Sequence, residues 1–178
     1  MERRRLLGKE SGYILYAITS LTKQYLDNSF INPLTIKGNG TVTYSSSNTT
    51  VATVNIDSGE VTIIHPGTAI ISATVEDTED CIYDVKTVSY TLTVAKAAGN
   101  VSEAPVANSP IVYDGLSHTT LISDGTGTGT MMYKLDDGEW SSSIPSVTNA
   151  KTSYIVYYKT SETEYYAEST VGSVTVTV

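Results

Sequence analysis

From Gly38 onward the sequence breaks into short runs of alternating apolar and polar residues, renewed about every ten residues and punctuated by Gly, Asn, Asp and Pro. Alternation with a period of two places successive side chains on opposite faces of a strand, and so describes a sheet with one buried side. The clearest case is Val88, Tyr90, Leu92 and Val94, which alternate with Ser89, Thr91 and Thr93. Composition agrees: 13 Tyr stand beside abundant Val, Thr and Ile, whereas Phe and Trp occur once each. Such side chains suit a pleated, half-buried surface better than a helix.

Val42 and Tyr44, then Val51, Val54 and Ile56, predict two strands separated by the polar turn 45–50. Asp57, Ser58 and Gly59 turn the chain into 61–64, and Pro66 with Gly67 turns it into 69–75. The acidic stretch 76–80 leads to a strand within 82–94. Ala, Gly, Asn, Ser and Pro then collect over 95–105 and the alternation lapses, as in a linker. A second series follows, at 111–113, 119–122, 130–135, 153–159 and 172–178, with Asp136, Asp137 and Gly138 as the hairpin turn between Tyr133 and Trp140. Residues 83–94 (YDVKTVSYTLTV) resemble residues 166–178 (YAESTVGSVTVTV), as the closing strands of two modules would. The expectation is an all-β chain of two tandem β-sandwich domains with a short N-terminal extension. A docking segment occupies 1–23, the first domain 24–95, a linker 96–105 and the second domain 106–178.

Net charge is −8, from 11 basic and 19 acidic side chains, which excludes general binding to nucleic acid. The apolar stretch 13–21 is too short to insert in a membrane. Basic charge is nevertheless concentrated at one place, because Arg3, Arg4 and Arg5 are all the arginine in the chain. They read either as a solvated tail or as an electrostatic peg for an acidic protein partner. Residues 13–19, with Tyr13 and Leu15, are β-rich enough to add to a neighbouring sheet edge; a helix with Tyr13, Tyr16, Ala17 and Leu21 on one face is the alternative for this stretch. Lys9 and Glu10 interrupt the apolar run a secretion signal requires, and no lipid or sorting signal is read at the C-terminus. Cys81 is the single cysteine, so no intramolecular disulfide can form.

Residues with chemistry to offer do not combine into a catalytic or metal site. His65 and His118 each lack a second His or Cys at ligand spacing. Asp114, Ser117 and His118 fall in one turn, without a nucleophile elbow or oxyanion donors. The glycine-rich run 124–130 has no lysine for a phosphate, so it reads as a strand connection. Asp136, Asp137 and Glu139, like the acidic stretch 76–80, lack the spacing of a calcium loop. Neither closing strand holds the Asn that an intramolecular isopeptide link would use. The reading is of a protein that is no enzyme and carries no cofactor. Tyr157, Tyr158, Tyr165 and Tyr166 are the candidates for a glycan or protein contact. Alternation forbids Tyr157 and Tyr158 from both facing the core, and tyrosine rings serve at interfaces and on sugar faces.

Residues 38–95 resemble the bacterial immunoglobulin-like group 2 domain. The resemblance lies in GNGTVTYSSSNTTVATVN at 38–55, GEVTIIHPGTAIISATV at 59–75 and SYTLTV at 89–94. It implies an immunoglobulin-like sandwich, with Ala52 and Val54 inward beside Tyr44 and Gly67 at a sharp reversal. The second module is similar to a repeat of large bacterial surface proteins, through Tyr113-Asp114-Gly115, MYKLDDGEWSSSIPSVTNA at 132–150 and YIVYYK at 154–159, with Lys151 where a glycine is usual. Both families imply spacer, adhesive or decorative roles and no catalytic residues. Two settings follow. The first is a phage virion surface, as capsid decoration or a fibre or tail component docked through its N-terminus; it fits a chain that opens on Met without an export signal. The alternative is an extracellular, bacterial cell-surface adhesion protein or a fragment of one.

Overall fold

The computed structural model describes residues 12–76, 85–149 and 151–177. The chain divides into two compact units, Met1–Ala95 and Lys96–Val178. The described residues are all β or irregular.

The first unit holds β1 (Tyr13–Tyr16), β2 (Ser20–Gln24), β3 (Leu34–Lys37), β4 (Val42–Ser46), β5 (Ala52–Val54), β6 (Val61–Ile63), β7 (Gly67–Val75) and β8 (Lys86–Ala95). A four-stranded sheet runs β2-β8-β7-β4, and the two-stranded pairs β1-β3 and β5-β6 contribute to the same core. All pairings are antiparallel except β2 with β8, which is parallel. Alternation works as the sequence requires. Ala69, Ile71, Ala73 and Val75 of β7 and Tyr90, Leu92 and Val94 of β8 face inward against Ile14, Tyr16, Val51, Ala52 and Val61. The outer face of β7 and β8 is a hydroxyl ladder, with Ser72 paired to Ser89 and Thr74 to Thr87, each at 2.9 Å. Val54 and Tyr44 pack at the edge of the core. Gly67, with φ of +148°, starts β7 where a Cβ would lie 2.7 Å from Val51 Cγ2, so the reversal has no room for a side chain.

The N-terminal stretch differs from a separate docking segment. Tyr13–Tyr16 is a strand, not a helix: Ile14 and Tyr16 are buried while Tyr13 and Leu15 face out. The burial of that face, together with parallel pairing of Ser20–Gln24 to β8, builds residues 13–24 into the first sandwich. Arg3, Arg4, Arg5 and Cys81 lie outside the described residues.

The second unit holds β9 (Val101–Glu103), β10 (Thr126–Gly127), β11 (Met131–Leu135), β12 (Ser153–Thr160) and β13 (Gly172–Thr177). The sheet β11-β12-β13 is antiparallel, with β9-β10 as a separate pair. Its core gathers Leu121, Ile122, Met131, Tyr133, Val147, Tyr154, Val156 and Val176. Residues 96–105, read from composition as a linker, belong to this unit. Ala97 bridges Tyr166, β9 pairs with β10, and Val101 packs on the core. No strand forms at 111–113 or 119–122; the nearest pairings are single bridges, Ala107 to Ile122 and His118 to Val147. Two features accompany this: Leu121 and Ile122 are consecutive and both buried, which a strand with one solvent-facing side does not allow, and Gly115 at φ of +79° turns the chain. The hairpin turn lies where expected, with Gly138 N–H donating to Leu135 O and Asp136 in the left-handed region.

Candidate functional site

Register decides which side chains share the outer face of β11-β12-β13. Lys134 is opposite Tyr157, and Tyr157 is opposite Ser173. The bridge from Tyr133 to Ser141, closed by hydrogen bonds of 2.7 and 2.8 Å, brings the return arm of the hairpin alongside β11. Trp140 therefore falls opposite Lys134, on the same face. Across three neighbouring segments the order is Trp140, Lys134, Tyr157: aromatic, cation, aromatic. The Lys134 ammonium lies 5.6 Å from the Trp140 ring centre and 5.2 Å from that of Tyr157. Lys159, one step along β12 on the same face, brings its ammonium to 4.9 Å from the Trp140 ring centre and pairs with Glu168 at 2.6 Å. These distances are those of cation–π contacts. Ion pairs of the described residues give Lys151 to Asp136 and Lys96 to Glu162, and leave Lys134 without a carboxylate.

The four tyrosines singled out in the sequence do not form one cluster. Tyr157 faces outward in this row. Tyr158 turns inward, packs on the core and sits over Gly172, where a Cβ would lie 2.4 Å from the phenol ring. Its ring also lines a cleft of about 280 Å³ with Gly99, Asn100, Val101 and Val171. Tyr165 and Tyr166 are half-buried in a turn tied to Ala97 by its N–H to Tyr165 O at 3.0 Å. The residues missed were Trp140, Lys134 and Lys159. The hairpin turn carries a signal for the first pair, because a turn at 136–138 sets Trp140 against Lys134. Nothing local predicts that Tyr157 comes next.

In the first unit, Tyr13 and Leu15 project from the outer side of β1, 48% and 56% exposed, beside Lys37 and Thr35 on β3. The turn holding Asp114, Ser117 and His118 is a local device. Asp114 Oδ1 accepts the Leu116 N–H at 2.9 Å and meets His118 Nε2 at 3.0 Å. The Leu116 N–H and, after it, His118 hold the Asp114 carboxyl below its ordinary range. The Asp114 carboxylate thus orients its own turn. Lys151 donates to Asp136 Oδ2 at 2.6 Å, while Asp136 Oδ1 accepts the Ile155 N–H at 2.9 Å. These two donors, the lysine first, hold the Asp136 carboxyl low and lock the hairpin turn onto β12.

Residues 34–77, from β3 through β7, match the family described as intimin, immunoglobulin-like domain. Intimin of Escherichia coli O111:H- is 41% identical over 61 residues, which make up 34% of this chain and 6% of intimin. The first unit therefore contains a bacterial immunoglobulin-like domain, matched through the intimin type, and the chain spans a small fraction of that relative's length. Among solved structures, a SusE-like surface-located polysaccharide-binding protein from the heparin utilisation locus of Bacteroides thetaiotaomicron is similar at 11% identity and a TM-score of 0.35, over 93% of this chain and 34% of its own. Human mucin-like protocadherin EC1-2 is similar at 7% identity and a TM-score of 0.37, over 93% of this chain and 98% of its own.

Proposed function

We propose that this chain is a non-enzymatic adhesive protein of a bacterial cell surface, whose sandwiches display contact faces. The observation that carries the reading is the bacterial immunoglobulin-like domain of the first unit, with its match to the intimin family over residues 34–77. Two physical features support it. Asp114 and His118 bond to each other within one turn that Asp114 also caps, and the outer face of β11-β12-β13 carries aromatic side chains, as contact surfaces do. Tyr13 and Leu15, outward on β1, are the side chains we assign to a protein partner. The intimin match favours a cell surface over a virion.

Labelling intact cells of the source organism with an antibody to this chain tests the location. Surface labelling that is lost on protease shaving is the expected outcome. Labelling confined to purified phage particles would replace the cell-surface reading with virion decoration. For adhesion, beads coated with the full chain should attach to target cells, and Tyr13→Ser with Leu15→Ser should reduce attachment wherever a protein partner is engaged.

A further inference from the structure

We propose that the outer face of β11-β12-β13 binds an anionic saccharide, a sugar chain bearing carboxylate or sulfate groups, through Trp140, Lys134, Tyr157 and Lys159. The proposal rests on the adhesive reading and names what the second unit adheres to.

Three observations carry it. The first is spacing. Trp140 and Tyr157 flank Lys134 two interstrand spacings apart, roughly 10 Å, so two half-exposed aromatic rings stand in a line at a spacing that successive sugar units can meet. Aromatic rings on a flat surface suit the C–H faces of pyranoses. The second is charge. In a chain of net charge −8, the centre of this row is a lysine with no carboxylate partner among the described residues, and a second lysine, ion-paired to Glu168, stands beside it. Their ammonium groups are pre-positioned against the rings, so an anionic substituent on a sugar stacked there meets a fixed cation. The third is the rest of the face. Ser173, Thr175 and Thr177 line the outer side of β13 and supply hydroxyls for the hydrogen bonds a polysaccharide makes.

An acidic peptide fits less well. Peptides commonly dock on sheets by adding a strand at an edge, whereas β12 is central and already bonded on both sides. A flat face also offers no pocket for an apolar anchor of the kind that dominates protein contacts.

The full chain is applied to immobilised polygalacturonate, dextran sulfate and neutral dextran, with soluble polyglutamate as competitor, at low and high salt. Retention by at least one charged polysaccharide, without retention on dextran and without competition by polyglutamate, is the expected result. Trp140→Ala and Lys134→Gln should each weaken retention at least tenfold, Lys134→Arg should recover most of it, and Tyr113→Ser, in an exposed turn elsewhere in the unit, should leave it unchanged. Circular dichroism of each variant separates lost contact from lost fold, and Lys134→Gln keeps the test open if Trp140→Ala misfolds. Which charged matrix retains the chain distinguishes carboxylate from sulfate. The proposal is overturned if neither charged polysaccharide retains the chain, if polyglutamate competes equally, or if both variants bind like the parent. Bead adhesion by the parent chain with no retention on either charged polysaccharide would defeat this site while leaving the adhesive reading intact.

Discussion

Three core tyrosines differ in what their hydroxyls meet, and the difference has measurable consequences. Tyr16 and Tyr90 stack edge to face, with ring centres 4.7 Å apart, and among the described residues neither hydroxyl has a hydrogen-bond partner. Tyr133, in the other unit, donates its hydroxyl proton to Asp124 Oδ1 and accepts the Gly125 N–H at 3.1 Å. An unpartnered buried hydroxyl costs its desolvation, whereas a hydrogen bond to a carboxylate stabilises by about 1.5–3 kcal/mol. Tyr90→Phe is accordingly expected to leave the first unit as stable or up to about 1 kcal/mol more stable. Tyr133→Phe should destabilise the second unit by about 1–2 kcal/mol. Urea unfolding resolves the two, because Trp140 is the only tryptophan and its emission follows the second unit alone. The same tyrosines set an alkaline limit. Burial pushes Tyr90 up to about 12, and burial followed by the Asp124 hydrogen bond pushes Tyr133 up to about 12, from an ordinary 10.0. Between those values the unfolded chain has lost protons that the folded chain keeps, so stability falls as pH rises. Urea midpoints should be level below about pH 10 and decline from there toward pH 12; a midpoint that rose over that interval would contradict the assignment.

At the scale of single elements, β1 shows how a strand can serve two purposes through its two faces. Tyr16 lies in the core and Leu15, its neighbour, is 56% exposed. Tyr16→Ala is expected to cost the first unit about 3–5 kcal/mol, as for a buried aromatic truncated in a core. Leu15→Ser should stay within about 0.5 kcal/mol and act only on partner contact. Amide exchange along β8 reads both, since β8 pairs with β2 and closes over this core. Loss of protection in Leu15→Ser as large as in Tyr16→Ala would mean that the outward face of β1 is structural. The strands with clean alternation, β7 and β8, are legible from sequence because each has one wet and one dry face. Residues 13–24 are less so: their burial depends on pairing with β3 and on a parallel register with β8, about 70 residues away in the chain, and local pattern carries no such information. Residues 96–105 read as a linker because Ala, Gly, Asn, Ser and Pro collect there, yet their backbone is held by β10 and Tyr166. The candidate sugar face divides the same way, with Lys134 and Trp140 joined by a visible turn and Tyr157 added by a register that only the folded sheet reveals.

For the whole molecule, the question is what makes each unit stable without covalent help. One cysteine allows no intramolecular disulfide, and domains of this size bury a smaller share of their surface than larger ones. Each unit nonetheless has a contiguous apolar core of its own, centred on Ile71 and Leu92 in the first and on Tyr133 and Val156 in the second. Fragments 1–95 and 96–178 should therefore each unfold cooperatively, with calorimetric enthalpies near 60–70 kcal/mol at the usual value per residue, and reductant should not move either transition. The second boundary is the stricter test. A fragment 106–178 lacks the Ala97 bridge to Tyr166, the pairing of β9 with β10 and the packing of Val101, so it should show a broad transition and weakened amide protection in β10 and in the turn around Tyr165. Were 106–178 to unfold as sharply as 96–178 at the same temperature, residues 96–105 would be a linker after all, and the second sandwich would begin where its composition first suggested.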